Sequence, residues 1–314
     1  MIVTVTLNAA LDITYRTPEL VPHTTHRVSD VAERPGGKGL NVARVLSALG
    51  HETVVTGFAG GRTGDVLREL LGSSAPGGSR SRPVDALVPI SGATRRTLAV
   101  VDETSGDTTQ LNEPGPTVSS AEWSTFLSAY ERLLTGADAV ALCGSLPPGI
   151  HVGAYAELIR RARAAGVPAL LDTSGEPLRR GVAARPDLVK PNADELARLT
   201  GSREPLRAAS DARRRGAHAV IASLGPDGIL AATPDGVWQA TPPAPVKGNP
   251  TGAGDSAVAG LLSGLVERLP WPARLARAVA LATATVLAPA AGEFDAEAYE
   301  ELLPRVAVTE QPGP

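Results

Sequence analysis

From residue 40 onward the chain alternates two patterns of apolar and polar positions. Apolar residues recur at i, i+3, i+4 and i+7 in Val42, Val45, Leu46 and Leu49, and again in Val258, Leu261, Leu262 and Leu265. That spacing marks one face of an amphipathic helix. Short apolar runs at 53–56, 139–142, 169–171, 188–190 and 220–223 have the length of strands. Strand, helix and strand in succession predict an α/β fold with a mostly parallel sheet. Two regions, about 11–34 and 95–113, alternate with period two and carry no helical pattern, as in Thr97-Leu98-Ala99-Val100-Val101. They predict a small antiparallel flap on the main sheet. Residues 72–83, rich in Gly, Ser, Pro and Arg, read as a mobile loop, and only the last few residues read as a tail. No internal repeat divides the chain, so residues 1–314 are expected to form a single domain.

Composition narrows the function. Thirty Lys and Arg against 33 Asp and Glu leave a net charge of −3, with no basic stripe suited to a nucleic acid. No apolar run approaches the roughly 18 residues that would suggest a membrane span. The start, Met1 to Leu7, alternates apolar and polar residues without a basic leader and reads as a strand. The lone Cys143 can form neither an internal disulfide nor a cysteine metal cluster, which fits a cytoplasmic protein. Only three lysines, Lys38, Lys190 and Lys247, stand beside 27 arginines. Lysines that survive such a bias are candidates for places where the rigid guanidinium fork cannot substitute.

The segment Asn249-Pro250-Thr251-Gly252-Ala253-Gly254-Asp255-Ser256 opens the helical pattern at 258–265. Small residues there let backbone N–H groups turn toward an anion at a helix N-terminus. An acid in a pure phosphate site would repel its ligand, but Asp255 makes sense as the acceptor of a proton from a hydroxyl that attacks the phosphate. Seen alone, the same Asp also suits the first turn of any helix. Gly252-x-Gly254-x-x-Ala257 formally matches a dinucleotide fingerprint. However, Pro242-Pro243-Ala244-Pro245 makes a poor strand before it, and no acid stands about 20 residues on, where Leu275 lies. A second glycine-rich segment, Pro35-Gly36-Gly37-Lys38-Gly39-Leu40-Asn41, also opens an amphipathic helix. Asp12, after the first strand, could accept hydrogen bonds from sugar hydroxyls.

Together the Gly-Gly-Lys-Gly-x-Asn and Asn-Pro-Thr-Gly-Ala-Gly-Asp segments resemble the two signatures of the PfkB (ribokinase-like) sugar kinases. Residues 57–64, 144–149, 190–195 and 223–228 add local matches. Lys38 and the stretch Asn112-Glu113-Pro114-Gly115-Pro116 are similar to the phosphohexose branch, which includes 1-phosphofructokinase and tagatose-6-phosphate kinase. The resemblance implies a three-layer αβα domain with a small β-sheet lid formed by about 11–34 and 95–113. Such a flap leaves an exposed sheet edge, through which a homodimer could pair. The resemblance also implies ATP and Mg²⁺ as cofactors and a phosphorylated ketohexose as substrate, with fructose 1-phosphate expected to give fructose 1,6-bisphosphate. Asp255 would be the base, and Gly252, Ala253 and Gly254 the anion hole. Asp12, Gly37, Gly39, Asn41 and Glu113 would hold the sugar, with Lys38 and Arg95 on its existing phosphate. Lys190, Asn192, Ser223, Gly225 and Gly228 would line the nucleotide, and Asn192 with Glu195 would position the metal. Without the resemblance, Asn192 and Glu195 read as a helix N-cap and its capping-box acid. Competing readings are a tagatose-6-phosphate or fructose-6-phosphate kinase, a free-sugar or nucleoside kinase on the same fold, a silent sugar-phosphate sensor, and a NAD-linked oxidoreductase.

Overall fold

The computed structural model describes residues 1–73 and 82–312. Strand β1 (Ile2–Thr6) runs in the interior of a ten-stranded sheet, between β4 (Thr53–Ala59) and β8 (Ala139–Cys143), both parallel to it. Beyond β4 lies β5 (Val84–Pro89). Beyond β8 lie β9 (Ala169–Asp172), β10 (Leu188–Val189) and β11 (Ala219–Ser223), all parallel. An antiparallel meander of β12 (Ile229–Thr233), β13 (Gly236–Thr241) and β14 (Ala307–Gln311) completes that edge. The stretch leading into the expected tail is therefore paired in the sheet.

Helices cover both faces. On one side α3 (Ser120–Leu134), α4 (Ala154–Ala164), α5 (Gly175–Ala183), α6 (Ala193–Thr200) and α7 (Pro205–Arg214) pack on Val3, Val5, Val140 and Leu142. On the other, α1 (Lys38–Ala48), α2 (Gly61–Ser73), α8 (Ala253–Val266), α9 (Trp271–Val286) and α10 (Ala296–Leu302) pack on Ile2, Ala139, Val55 and Leu170. This explains a feature that the alternation in β1 does not foretell. Thr4 and Thr6 are as buried as Val3 and Val5 beside them, because a parallel sheet sandwiched by helices has no wet face. The expected helices over 42–49 and 258–265 lie within α1 and α8, apart from Leu49, which caps α1. Of the expected loop at 72–83, Gly72 and Ser73 complete the last turn of α2, and residues 74–81 lie outside the described residues.

A separate four-stranded sheet has the order β3–β2–β6–β7, formed by β2 (Ala10–Thr17), β3 (Asp30–Gly36), β6 (Arg95–Asp102) and β7 (Thr108–Asn112). Contrary to expectation it is not wholly antiparallel. Its two inner strands, β2 and β6, run parallel from Ala10 opposite Arg95 to Thr17 opposite Asp102. The physical reason is connectivity: the chain passes through β4, α2 and β5 before returning, so no tight hairpin constrains the pair. This sheet stands over the carboxyl ends of the parallel strands, next to the switch point where β1 is flanked by β4 and β8. In open α/β sheets that crevice is where ligands bind.

Candidate active site

Two adjoining cavities of about 580 and 670 Å³ open at the carboxyl ends of the strands, and both are lined by Asn192, Ser223 and Gly254. The first is lined by Asp12, Gly37, Lys38, Asn41, Arg95 and Asp255, among others. The second is lined mainly by apolar groups such as Pro242, Val246, Val279 and Val286, with Gly225, Gly228 and Lys247 at its border. All three lysines of the chain thus border the cleft.

Asp255 sits in the first turn of α8, with 7% of its surface exposed. Gly252 caps this helix at φ 87°, a conformation that favours glycine, and a Cβ there would come within 2.8 Å of Ala291. The N–H of Ala253 is taken by the Pro250 carbonyl at 3.1 Å, so Ala253 is not a free donor of the anion hole. The next N–H groups, of Gly254 and Asp255, belong to the first turn, where N–H groups have no carbonyl a full turn earlier in the helix. Burial, then the nearby Asp172, push the Asp255 carboxyl up to about 6; Lys38, a hydrogen bond from Asn41 and Lys190 act the other way. Asn41 Nδ2 donates to Asp255 Oδ2 at 2.8 Å.

The sugar-side residues fall into two groups. Asp12, on β2, accepts a hydrogen bond from the Thr97 hydroxyl of β6, and burial raises its pKa despite that bond and the nearby Arg95 and Arg44. A Cβ on Gly36 would fall 2.1 Å from the Asp12 carboxylate, so only glycine leaves room for that carboxylate. Arg95 is fixed by two carbonyls, Nε donating to Asn8 O at 3.2 Å and Nη1 to Glu113 O at 3.1 Å. Glu113 itself turns away from the sugar cavity. Its carboxylate accepts from the backbone N–H, Nε and Nη2 of Arg96, and the residue lines only a shallow recess beside Arg95. Gly39 also lies outside the cavity lining. It lets α1 approach β1, since a Cβ there would meet Thr6 Oγ1 at 2.3 Å and the Val5 carbonyl at 2.9 Å.

On the other side, Asn192 and Glu195 form a full capping box on α6: Asn192 Oδ1 accepts from Glu195 N at 2.8 Å and Glu195 Oε2 from Asn192 N at 2.9 Å. Among the described residues no cluster of three or more His, Cys, Asp or Glu could cage a metal. The donor set suits a hard cation that keeps most of its water and leans on ligand phosphates, with Glu195 at the cavity wall.

Several charged residues in the cavity wall or in contact with it carry no motif. Asp172, the last residue of β9, is 1% exposed and lies 3.2 Å from Lys38 Nζ and 3.8 Å from Lys190 Nζ. Arg44 and Arg34 both bind Glu293 at 2.8 Å, tying β3 and α1 to the loop before α10. For Asp172 the one sequence signal is a charged residue closing an otherwise apolar strand.

The sequence profile of the pfkB family carbohydrate kinases matches residues 4–298, and the chain belongs to that family. It has the family's ribokinase-like α/β fold, with a large mostly parallel sheet and a smaller separate one. A tagatose-6-phosphate kinase from Staphylococcus epidermidis is 33% identical over 318 aligned positions, which cover 99% of this chain and 100% of that protein. Phosphofructokinase-2 from Escherichia coli, solved in complex with substrates and products, matches at a TM-score of 0.87 and 30% identity, over 96% of this chain and 98% of that one. A possible 1-phosphofructokinase from Thermotoga maritima matches at a TM-score of 0.85 and 28% identity, over 99% and 100% of the two chains.

Proposed function

We propose that this carbohydrate kinase transfers the γ-phosphoryl of ATP to the free primary hydroxyl of a phosphorylated ketohexose, fructose 1-phosphate giving fructose 1,6-bisphosphate. The observation that carries this reading is Asp255: a buried carboxylate with its pKa raised to about 6, at the N-terminus of α8, on the wall of a polar cavity that adjoins a more apolar one. A general base works best with a pKa near the working pH.

In this mechanism Asp12 and Asn41 orient the sugar, and Arg95 receives the phosphate that the sugar already carries. Asp255 takes the proton of the attacking hydroxyl. The N–H groups of Gly254 and Asp255 receive the negative charge that moves with the phosphoryl group. Ser223, Gly225 and Gly228 border the nucleotide side. Glu195 and Asn192 would hold Mg²⁺ through water, and the ion would supply positive charge against the nucleotide phosphates. The small sheet acts as a lid over the sugar, excluding water and so limiting ATP hydrolysis. Such a lid suits a homodimer joined through its outer strands. The setting is the cytoplasm, where sugar phosphates and ATP are found together.

A second reading, tagatose 6-phosphate as the acceptor, has the support of the Staphylococcus epidermidis relative. Fructose 6-phosphate has that of the phosphofructokinase-2 match. An ADP-release assay with fructose 1-phosphate, fructose 6-phosphate, tagatose 6-phosphate and free fructose tests all of these. The highest kcat/KM on fructose 1-phosphate is expected. Turnover of free fructose alone would overturn the phosphohexose reading, and binding without ADP release would leave a silent sensor.

A further inference from the structure

The proposed mechanism leaves Asp172 without a task, although it is 1% exposed and pairs with two lysines that line the sugar cavity. Its Oδ1 is the ion-pair partner of both Lys38, at 3.2 Å, and Lys190, at 3.8 Å. Its Oδ2 is buried without a hydrogen-bond partner. The Lys190 side chain is 5% exposed, whereas that of Lys38 is 42% exposed and lines the sugar cavity. A stabilising role explains this poorly. Buried ion pairs are often no better than apolar packing, and an unpartnered carboxylate oxygen adds a further cost.

The arrangement does suit a device that holds two cations at one point. That point is the Asp255 end of the cavity. A Cβ on Gly254, the neighbour of Asp255, would lie 3.5 Å from Lys190 Nζ, and Lys38 shares Asp172 Oδ1 with Lys190, whereas Arg95 is held by the Asn8 and Glu113 carbonyls. The charges that shift Asp255 and Asp12 divide in the same way. The charged groups thus divide into two sets, one at each end. A ketohexose with a phosphate at one end and a reacting hydroxyl at the other has the form to span them. By this division Lys38 belongs with the reacting hydroxyl and not with Arg95.

We infer that Asp172 is a positioning residue that holds Lys38 and Lys190 as a pair of ammonium groups at the point of phosphoryl transfer. Lys38 then serves the transferring phosphoryl and leaves the sugar's own phosphate to Arg95. This revises the role expected for Lys38 from the sequence, and it rests on the kinase reading but not on which sugar is used. With both carboxylates ionised, the two lysines and the two acids cancel. An incoming phosphoryl therefore meets cations that are already charged and in place. Such preorganised charge favours the transition state because nothing has to reorganise at the moment of reaction. Lysine suits the task, since a compact point charge can follow a group that moves between two oxygens.

The test compares Lys38→Ala, Lys38→Arg, Arg95→Ala and Asp172→Asn, each checked for folding by its melting curve. The first readout needs no sugar: affinity for Mg²⁺–ADP with aluminium fluoride, which imitates the transferring group, against affinity for Mg²⁺–ADP alone. Lys38→Ala and Asp172→Asn should weaken the first selectively, and Arg95→Ala should not. The second readout is kinetic. Lys38→Ala should lose about 10²-fold or more in kcat, with no preference for phosphorylated over free sugar, whereas Arg95→Ala should lower that preference. Asp172→Asn should lose about 10- to 100-fold, as expected for misplaced groups. Its acid limb of kcat against pH should move to lower pH, because the repulsion on Asp255 is gone and the two lysines act on it undiluted. A merely structural Asp172 would lower the melting temperature and leave the affinity for the aluminium fluoride complex, relative to Mg²⁺–ADP alone, unchanged. Equal binding of the aluminium fluoride complex by wild type and Lys38→Ala, or a Lys38→Ala defect confined to phosphorylated sugars, would overturn the inference. If the wild type turns over no phosphohexose, the proposed function fails, and the aluminium fluoride comparison still decides the role of Lys38 and Asp172.

Discussion

Asn41 donates a 2.8 Å hydrogen bond to Asp255, and 214 positions of sequence separate the two residues. The bond joins the two glycine-rich segments into one site. The first turn of α1 supplies the donor and the first turn of α8 the carboxylate, and the two helices lie side by side on the same face of the sheet. The bond favours the ionised form of a group whose burial favours the neutral one.

Asp255→Asn should lower kcat by roughly 10²- to 10⁴-fold with ATP affinity kept, since the amide preserves shape but cannot take a proton. Stability should change in the opposite sense. The folded-state pKa of Asp255, about 6, lies above the ordinary carboxyl value of 3.8, so between these values the folded chain holds the extra proton. Stability from this group is therefore greatest at low pH, falls as pH rises from about 4 to about 6, and is flat above that. The Asn variant escapes the loss, and above pH 6 it should be the more stable protein by up to about 3 kcal/mol. Urea denaturation at pH 4.5 and pH 7.5 checks this: the gap between variant and wild type should be wider at the higher pH. A base role fails if turnover is near normal.

The acid limb of kcat/KM should fall near pH 6 rather than near 4, because the base proposed here must be ionised to take the proton. Asn41→Leu removes the hydrogen bond that favours the carboxylate, so its limb should move to higher pH. A pH–rate series with the sugar phosphate held well below its KM measures both. An unmoved limb in Asn41→Leu would show that the bond does not tune the base.

Glu195→Gln should lower activity in a way that added Mg²⁺ partly restores, if this carboxylate orders the water around the ion. Glutamine can still accept from Asn192 N, so melting should change little. Asn192→Ala, which removes the N-cap oxygen, should cost about 1 kcal/mol of stability. An activity loss in Glu195→Gln that is equal at every Mg²⁺ concentration would leave Glu195 with its capping role alone.

The outer strands of the small sheet expose Val31 on β3 and Leu111 on β7, 56% and 59% accessible. Apolar residues on open sheet edges are suited to pairing with another copy. Sedimentation should find a dimer, and Val31→Asp with Leu111→Asp should yield monomers. A wild type that sediments as a monomer at all concentrations rules out pairing through the lid.

Much of the candidate site was legible because its residues sit in local patterns. Glycine before a helix start is required by backbone geometry near a ligand, and this marked 36–41 and 249–256 from the sequence alone. Strand and helix periods likewise determined the α/β class, since burial of one face imposes its repeat on the chain. Asn192 and Glu195 read as a capping box, and the box is present. What the sequence left open depends on neighbours brought together by folding. Gly39 and Glu113 carry motif positions, yet one packs α1 against β1 and the other is held by Arg96, because α1 must approach β1 closely and the nearest cation captures the acid. The parallel pairing of β2 with β6 followed from a crossover that no local alternation encodes. Asp172 lies in no motif at all. Its meaning comes only from Lys38 and Lys190, 134 positions before it and 18 after, and from the burial that makes an unshielded charge consequential. Local chemistry determined which segments could hold a phosphate, and the tertiary structure decided which charges face one another, because electrostatic coupling depends on distance in space and on the exclusion of water.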